Sequence, residues 1–263
     1  MSDQAPARKG ATRAADIPPE LLQALSRGEA ASATLTEALA LDQRQLARSA
    51  LPELSATALA QIDAACQLGI LKRMQAVADA LLAALGPDGI ARCQQHPSDT
   101  VRGWACFMIG AQPGLPLPER LTAIAPLADD PHFAVREWAW LALRPHLAAE
   151  LDAAIDALTP WAQHPSENLR RFASEALRPR GVWCAHIAAL KTAPQRALPI
   201  LQPLRADASR YVQDSVANWL NDVAKDQPEW VRTLCRQWLQ QSPCPATARI
   251  CQRAQRSLPA QAP

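Results

Sequence analysis

Between Pro165 and Ala185 the apolar residues Leu169, Phe172, Ala173, Ala176 and Leu177 fall at i, i+3, i+4, i+7 and i+8, the buried stripe of an amphipathic helix. Pro179 ends that helix. The same spacing gathers Arg171, Ser174, Glu175 and Arg178 on the opposite face, so that one carboxylate stands between two guanidinium groups at i,i+4 and i,i+3. Taken alone, such a face is either solvated decoration, worth about 0.3–0.5 kcal/mol per pair, or a site.

The pattern recurs. Aligned on the first apolar residue, the chain reads VRGWACFMIGA from Val101, VREWAWLALRP from Val135, LRRFASEALRP from Leu169 and VQDSVANWLND from Val212, at separations of 34, 34 and 43 residues. Asp129-Asp130-Pro131, Pro165-Ser166-Glu167 and Asp207-Ala208-Ser209 precede three of these units and are able to start helices. Second helical patterns lie between them at Glu119–Leu127, Leu151–Trp161 and Ala197–Leu204, the last weakened by Pro199 and Pro203. Two helices per unit at this period predict an all-α, HEAT-like α-solenoid of stacked antiparallel helix pairs, curved around a concave groove. Stacking makes columns: Gly103, Glu137, Arg171 and Asp214 at the third position; Phe107, Leu141, Glu175 and Asn218 at the seventh; Gly110, Arg144, Arg178 and Asn221 at the tenth. If the second helix of each pair lines the concave side, these columns face one polar groove.

Ahead of the repeats, residues 17–95 read as several short helices that cap the solenoid, with a long 3.6-residue pattern from Thr57 to Ala84. Residues 96–258 form the groove, within a single domain over 17–258. Residues 1–16 and 259–263 read as tails, the first disordered, small, polar and without the apolar stretch of a signal peptide. No run of eighteen apolar residues is present, so no membrane partner is expected and the cytoplasm is the expected compartment.

Composition narrows the chemistry. Seven cysteines and five histidines show neither CxxC nor HxxxH spacing, which predicts reduced thiols, no metal and no cofactor. All twelve aromatic residues follow position 100. Residues 1–159 hold 13 Lys+Arg against 18 Asp+Glu, whereas residues 160–263 hold 14 against 7. The C-terminal part is therefore the one suited to a polyanion, and nucleic acid is the leading candidate.

Two longer strings carry a resemblance. SEALRPRGVW (Ser174–Trp183) is similar to the SEGxRPRLPW segment of AlkC-type DNA alkylation repair proteins, and YVQDSVANWLNDVAKDQP (Tyr211–Pro228) resembles their YVRxSVANxLNDIxKDHP segment. The likeness runs from about His132 to Pro228. It implies the HEAT-like fold of the AlkC and AlkD superfamily, whose members bind duplex DNA in a basic groove and whose catalytic branches excise N-alkylated bases without a base-flipping pocket. By this resemblance Glu175 and Asp222 are the acidic positions of the active groove. Arg144, Arg171, Arg178, Arg180, Arg210, Lys225, Asn218 and Asn221 are expected to bind DNA, and Trp138, Trp140 and Trp183 to meet the base. There are departures. When the two RP pairs are aligned, Trp140 stands where the family has a glutamate, and Glu137, one turn earlier, is the substitute carboxylate. Gln213 replaces a basic residue and Ala176 a glycine.

The expectation is thus a monomer acting on alkylated double-stranded DNA, a glycosylase for cationic N3- or N7-alkylated purines. Its alternatives are a non-catalytic DNA-binding solenoid and a HEAT scaffold for an acidic protein.

Overall fold

The computed structural model describes residues 8–259, and among them there is helix and no strand. Sixteen α-helices follow one another: α1 Pro19–Arg27, α2 Leu35–Ala40, α3 Gln43–Ala50, α4 Ala56–Ala65, α5 Ile70–Leu85, α6 Asp88–Gln94, α7 Asp99–Ala111, α8 Leu117–Ala128, α9 Phe133–Ala149, α10 Leu151–Leu158, α11 Glu167–Glu175, α12 Ala188–Thr192, α13 Leu198–Leu201, α14 Arg210–Ala224, α15 Pro228–Gln241 and α16 Pro245–Ala254. None of the described helices is long and apolar enough to cross a membrane. The chain divides into two compact units, the first running to Leu115 and including Asp130–Ala142, the second comprising Pro116–Asp129 and everything from Leu143 onward.

In the first unit the expected N-terminal tail is ordered from Arg8. The reason is Glu37, whose carboxylate is fully buried and needs donors. It receives both ends of the Arg8 guanidinium at 2.8 and 2.6 Å and the amides of Ala11 and Ala33 at 2.8 Å each. Residues 1–7 of that expected tail lie outside the described residues. The long pattern from Thr57 to Ala84 is two helices, because the chain leaves α4 after Cys66 and re-enters α5 through Gly69, extended at φ −60°, ψ 153°. The stripes Ile62 and Ala65 on α4 and Met74, Val77, Ala78 and Leu81 on α5 are buried as the two pack together. On α7, Gly103 and Gly110 give α9 room: a Cβ at Gly103 would stand 2.6 Å from Trp138 Cδ1, and one at Gly110 2.9 Å from the Ala142 carbonyl oxygen.

The second unit is built on α14. Its apolar face, Val212, Val216, Trp219, Leu220 and Val223, is buried, and α11, α15 and α16 all pack on this helix. The weakened pattern at Ala197–Leu204 becomes the four-residue α13 between 3₁₀ turns at Pro194–Ala197 and Pro203–Ala206, as Pro194 and Pro203 each start a turn that lacks their N–H.

Each repeat is entered through the same hydrogen-bonded turn. The residue five before each first apolar position accepts from the amide two residues on: His96 from Ser98, Asp130 from His132, His164 from Ser166 and Asp207 from Ser209. The second position then reaches back over that turn. Arg102 donates to the His96 and Pro97 carbonyls, Arg136 to those of Asp130 and Pro131, Arg170 to those of His164 and Pro165. Gln213, where the resembled family has a basic residue, does the same to Asp207 and Ala208. Arg102 also pairs with Asp130 at 2.8 Å and Arg170 with Asp207 at 2.6 Å.

The columns expected to face a groove are mostly inside. Phe107, Leu141 and Glu175 at the seventh position and Gly110, Arg144 and Asn221 at the tenth are buried; at the third position Glu137, Arg171 and Asp214 remain half-exposed. Gly103, at the third position, is buried as well, while Asn218 and Arg178 stay half-exposed.

Candidate nucleic-acid interface

In the second unit, α11 and α14 start beside each other with serine caps: the Ser166 hydroxyl accepts from the Asn168 amide and the Ser209 hydroxyl from that of Tyr211, each at 3.2 Å. From that common start the two helices bring Glu175 and Asp222, 47 residues apart in sequence, to one guanidinium. Arg178 donates through Nη1 to Glu175 Oε1 at 2.8 Å and through Nε to Asp222 Oδ2 at 2.9 Å. Ser215 donates to Glu175 Oε2 at 2.7 Å, with Ser174 Oγ 2.8 Å behind it. Arg171 Nη2 stands 3.7 Å from Glu175 Oε2, and its guanidinium lies 4.4 Å from the centre of the Tyr211 ring.

The two carboxylates differ in what is left to them. Both oxygens of Glu175 are engaged and the residue is 4 % exposed. Asp222 is 5 % exposed, but only its Oδ2 accepts a hydrogen bond among the described residues. Burial alone would raise the Glu175 carboxyl; Arg171 and Arg178 outweigh it, and the group lies below its usual range. Glu175 and Asp222 in turn outweigh the burial of Arg178, whose pKa is raised.

Residues 176–187 form a loop above this cluster, and Arg144 ties it down. Its guanidinium, 3 % exposed as a residue, donates to the carbonyls of Ala176 at 2.8 Å, Arg178 at 2.6 Å and Ala185 at 3.0 and 3.2 Å. Trp219 donates its indole N–H to the Leu177 carbonyl at 3.0 Å. Gly181 sits so close that a Cβ there would be 2.4 Å from Cys184 Sγ and 3.2 Å from Arg144 Cζ. Burial holds the Cys184 thiol above its ordinary pKa despite Arg144 and Arg178, so it is a packed thiol. At the tip of the loop, Val182 and Trp183 are 58 % and 49 % exposed. Trp183 is the one described non-glycine residue at positive φ, 63°, which costs a bulky side chain roughly 1–2 kcal/mol.

Of the residues expected to bind DNA, Arg171, Arg178, Asn218 and Arg180 lie at or near this surface, though none is idle. Arg178 is the clamp just described, Asn218 Oδ1 accepts from Arg256 at 2.9 Å, and Arg180 is paired with Asp226 at 2.9 Å. Arg210 and Lys225 are exposed. Arg144 and Asn221 are internal, contrary to expectation: their donors are spent on carbonyls, Asn221 giving its amide to Ala254 O at 3.0 Å and Ser257 Oγ at 2.7 Å. Trp138 and Trp140, expected to meet a base, are also buried, in the first unit. Trp138 packs 6.0 Å from the Phe107 ring, and Trp140 Nε1 donates to Glu137 Oε2 at 2.8 Å. An indole with both faces covered offers no platform to a base. Reading the sequence missed the second-position ladder and the arginines of α16; the ladder's signal, Arg102, Arg136 and Arg170 at intervals of 34, was present in the aligned units.

Comparison with known proteins agrees with this architecture. A family described as HEAT repeats matches residues 87–178. A 56-residue segment is 48% identical to the uncharacterized protein YhaZ of Bacillus subtilis, covering 21% of this chain and 16% of that protein. The fold is similar to that of the Pseudomonas fluorescens alkylpurine DNA glycosylase AlkC bound to DNA containing an abasic site analog, with a TM-score of 0.67 and 27% identity over 91% of this chain. The chain spans 62% of the length of that AlkC. AlkD2 from Streptococcus mutans shares the fold at a TM-score of 0.60 and 20% identity, over 78% of this chain and 98% of its own. In its fold and its HEAT repeats, the chain is similar to the AlkC and AlkD2 structures.

Proposed function

We propose that this chain is a DNA alkylation repair protein that binds alkylated duplex DNA and hydrolyses the N-glycosidic bond of N3- or N7-alkylated purines. The observation that carries the reading is Asp222, a carboxylate oriented by Arg178 through one oxygen with the other free of hydrogen bonds among the described residues. The similar AlkC is described as an alkylpurine DNA glycosylase and was solved with DNA bound, which supports the reading.

The chemistry asks little of the protein. Alkylation at N3 or N7 makes the purine cationic, so when the C1′–N bond breaks its electron pair returns to the ring and the base leaves neutral. No general acid is required. Water adds its oxygen to C1′ and surrenders a proton to the carboxylate or to solvent. A carboxylate beside the sugar stabilises the positive charge that develops there. Asp222 takes that role. Glu175, with both oxygens engaged, acts through Arg178 as a positioning residue. Trp183 offers an exposed indole to the cationic base, a contact worth about 0.5–2 kcal/mol. Arg210 and Lys225 contact phosphates, which positions the protein without reading sequence.

A second reading, duplex binding without excision, is favoured by Trp140, which occupies the place of a glutamate in the resembled family. Incubating the protein with methylated duplex DNA and measuring released 3-methyladenine and 7-methylguanine decides between them. Release in proportion to protein supports excision; salt-sensitive binding with no release supports the second reading.

A further inference from the structure

Part of the positive surplus of residues 160–263 lies on one helix face. Arg170, Arg180 and Arg196 each have a carboxylate partner, Asp207, Asp226 and Asp152, and Arg178 has two. On α16 the ratio reverses. Arg249, Arg253 and Arg256 recur at i, i+4 and i+7, which puts them on one side. They share Asp214. Arg249 Nη2 and Arg253 Nε approach the same oxygen, Oδ1, at 2.7 and 3.0 Å. The other partners are neutral amides: Arg249 reaches Gln213 Oε1 at 3.3 Å and Arg256 reaches Asn218 Oδ1 at 2.9 Å. The guanidinium side chains remain open to solvent, Arg253 at 42%. Burial first, then the neighbouring Arg253, lowers the Arg256 pKa, and the field of Asp222 and Arg178 also reaches it. Like charges at this spacing oppose one another on a helix. The row therefore costs the free protein stability that a polyanion would return.

We propose that Arg249, Arg253 and Arg256 form a phosphate-binding edge that seats the sugar–phosphate backbone of duplex DNA beside the Asp222–Arg178–Glu175 cluster. Length fits as well as charge: seven residues of helix span about 10.5 Å, and one strand of duplex carries a charge about every 3.4 Å of axis, so the row faces about three phosphates. The inference rests on the duplex-binding part of the proposed function and adds a site to it. It needs no lesion, so undamaged duplex is the right probe.

The test is the salt dependence of binding to an undamaged oligonucleotide duplex, for wild type, Arg249→Ala/Arg253→Ala/Arg256→Ala, the corresponding triple lysine variant and Asp214→Asn. Losing three phosphate contacts flattens the slope of log K against log salt by about 2.7. The lysine variant keeps most of the slope, since an ammonium still neutralises a phosphate. Asp214→Asn, which removes the row's shared carboxylate, tightens binding and serves as the readout should the alanine variant fail to fold. A steep wild-type slope left unchanged by the alanine variant and by Asp214→Asn overturns the arginine row alone. Absence of salt-sensitive duplex binding in wild type overturns the row together with the proposed function.

Discussion

Arg144 and Arg178 occupy the same position in successive repeats and are used in opposite ways. Arg144 is turned onto three carbonyls and fixes a loop; Arg178 is turned onto two carboxylates and fixes a cluster. A buried carbonyl left without a donor costs about 1–3 kcal/mol, and rehydration of the loop recovers part of it. Arg144→Ala is accordingly expected to lower stability by about 3 kcal/mol and to make residues 176–187 the first site of proteolysis. Arg144→Lys recovers only a minor part, because one ammonium does not span three acceptors. Denaturant unfolding and limited digestion measure both effects. At the loop tip the expectation runs the other way. Trp183→Gly removes the strain of a positive φ and leaves the melting temperature unchanged or raised, while excision and affinity for methylated DNA fall. The spacing made the Glu175–Arg178 pair legible and the resemblance added Asp222, but Arg178 was expected to meet phosphate, whereas it holds the two carboxylates. The sequence did not separate Arg144 from Arg178, since both lie in an RP pair and only the depth of burial distinguishes them.

At the scale of elements, the helical pattern was legible wherever a single unbroken helix buries one continuous apolar stripe, as in α11 and α14. It was less so where several short helices share a core. Thr57–Ala84 keeps its period across the break at Gly69, because α4 and α5 each bury a stripe and the glycine merely interrupts the axis. The N-terminal segment from Arg8 looks polar and small, yet a buried carboxylate 29 residues away orders it, a long-range demand that no local pattern announces. That carboxylate has a pH signature. Glu37 is lowered from 4.5 to about 2 by the Arg8 guanidinium first, against burial, with the Ala33 and Ala11 amides adding to it. Because the folded pKa is depressed, its stabilisation is complete above the unfolded value and fades as pH falls from about 4.5 towards 2. The melting-temperature gap between wild type and Glu37→Gln should therefore be full near neutrality and close over that acid window. Between α7 and α9, Gly103→Ala forces the Trp138 ring to move and is expected to cost about 1–3 kcal/mol, against the fractional gain an alanine normally brings to a helix.

At the scale of the whole molecule, the repeat period and two motif strings were enough to anticipate the HEAT-like fold and its likeness to AlkC. They were not enough to say which polar columns stay in solvent. The departure at Trp140 is the feature that makes the reaction worth testing, since the surviving carboxylates are Asp222, oriented with one oxygen to spare, and Glu175, fully engaged. In the proposed reaction the chemistry falls to the first and the scaffolding of Arg178 to the second. Single-turnover release of 3-methyladenine from methylated duplex DNA, measured for wild type, Asp222→Asn and Glu175→Gln beside their melting temperatures, tests that assignment most directly. The predicted result is release by wild type, loss of at least about 10²-fold in Asp222→Asn with nearly unchanged stability, and a fall in both rate and stability in Glu175→Gln. Full release by a stably folded Asp222→Asn would contradict it.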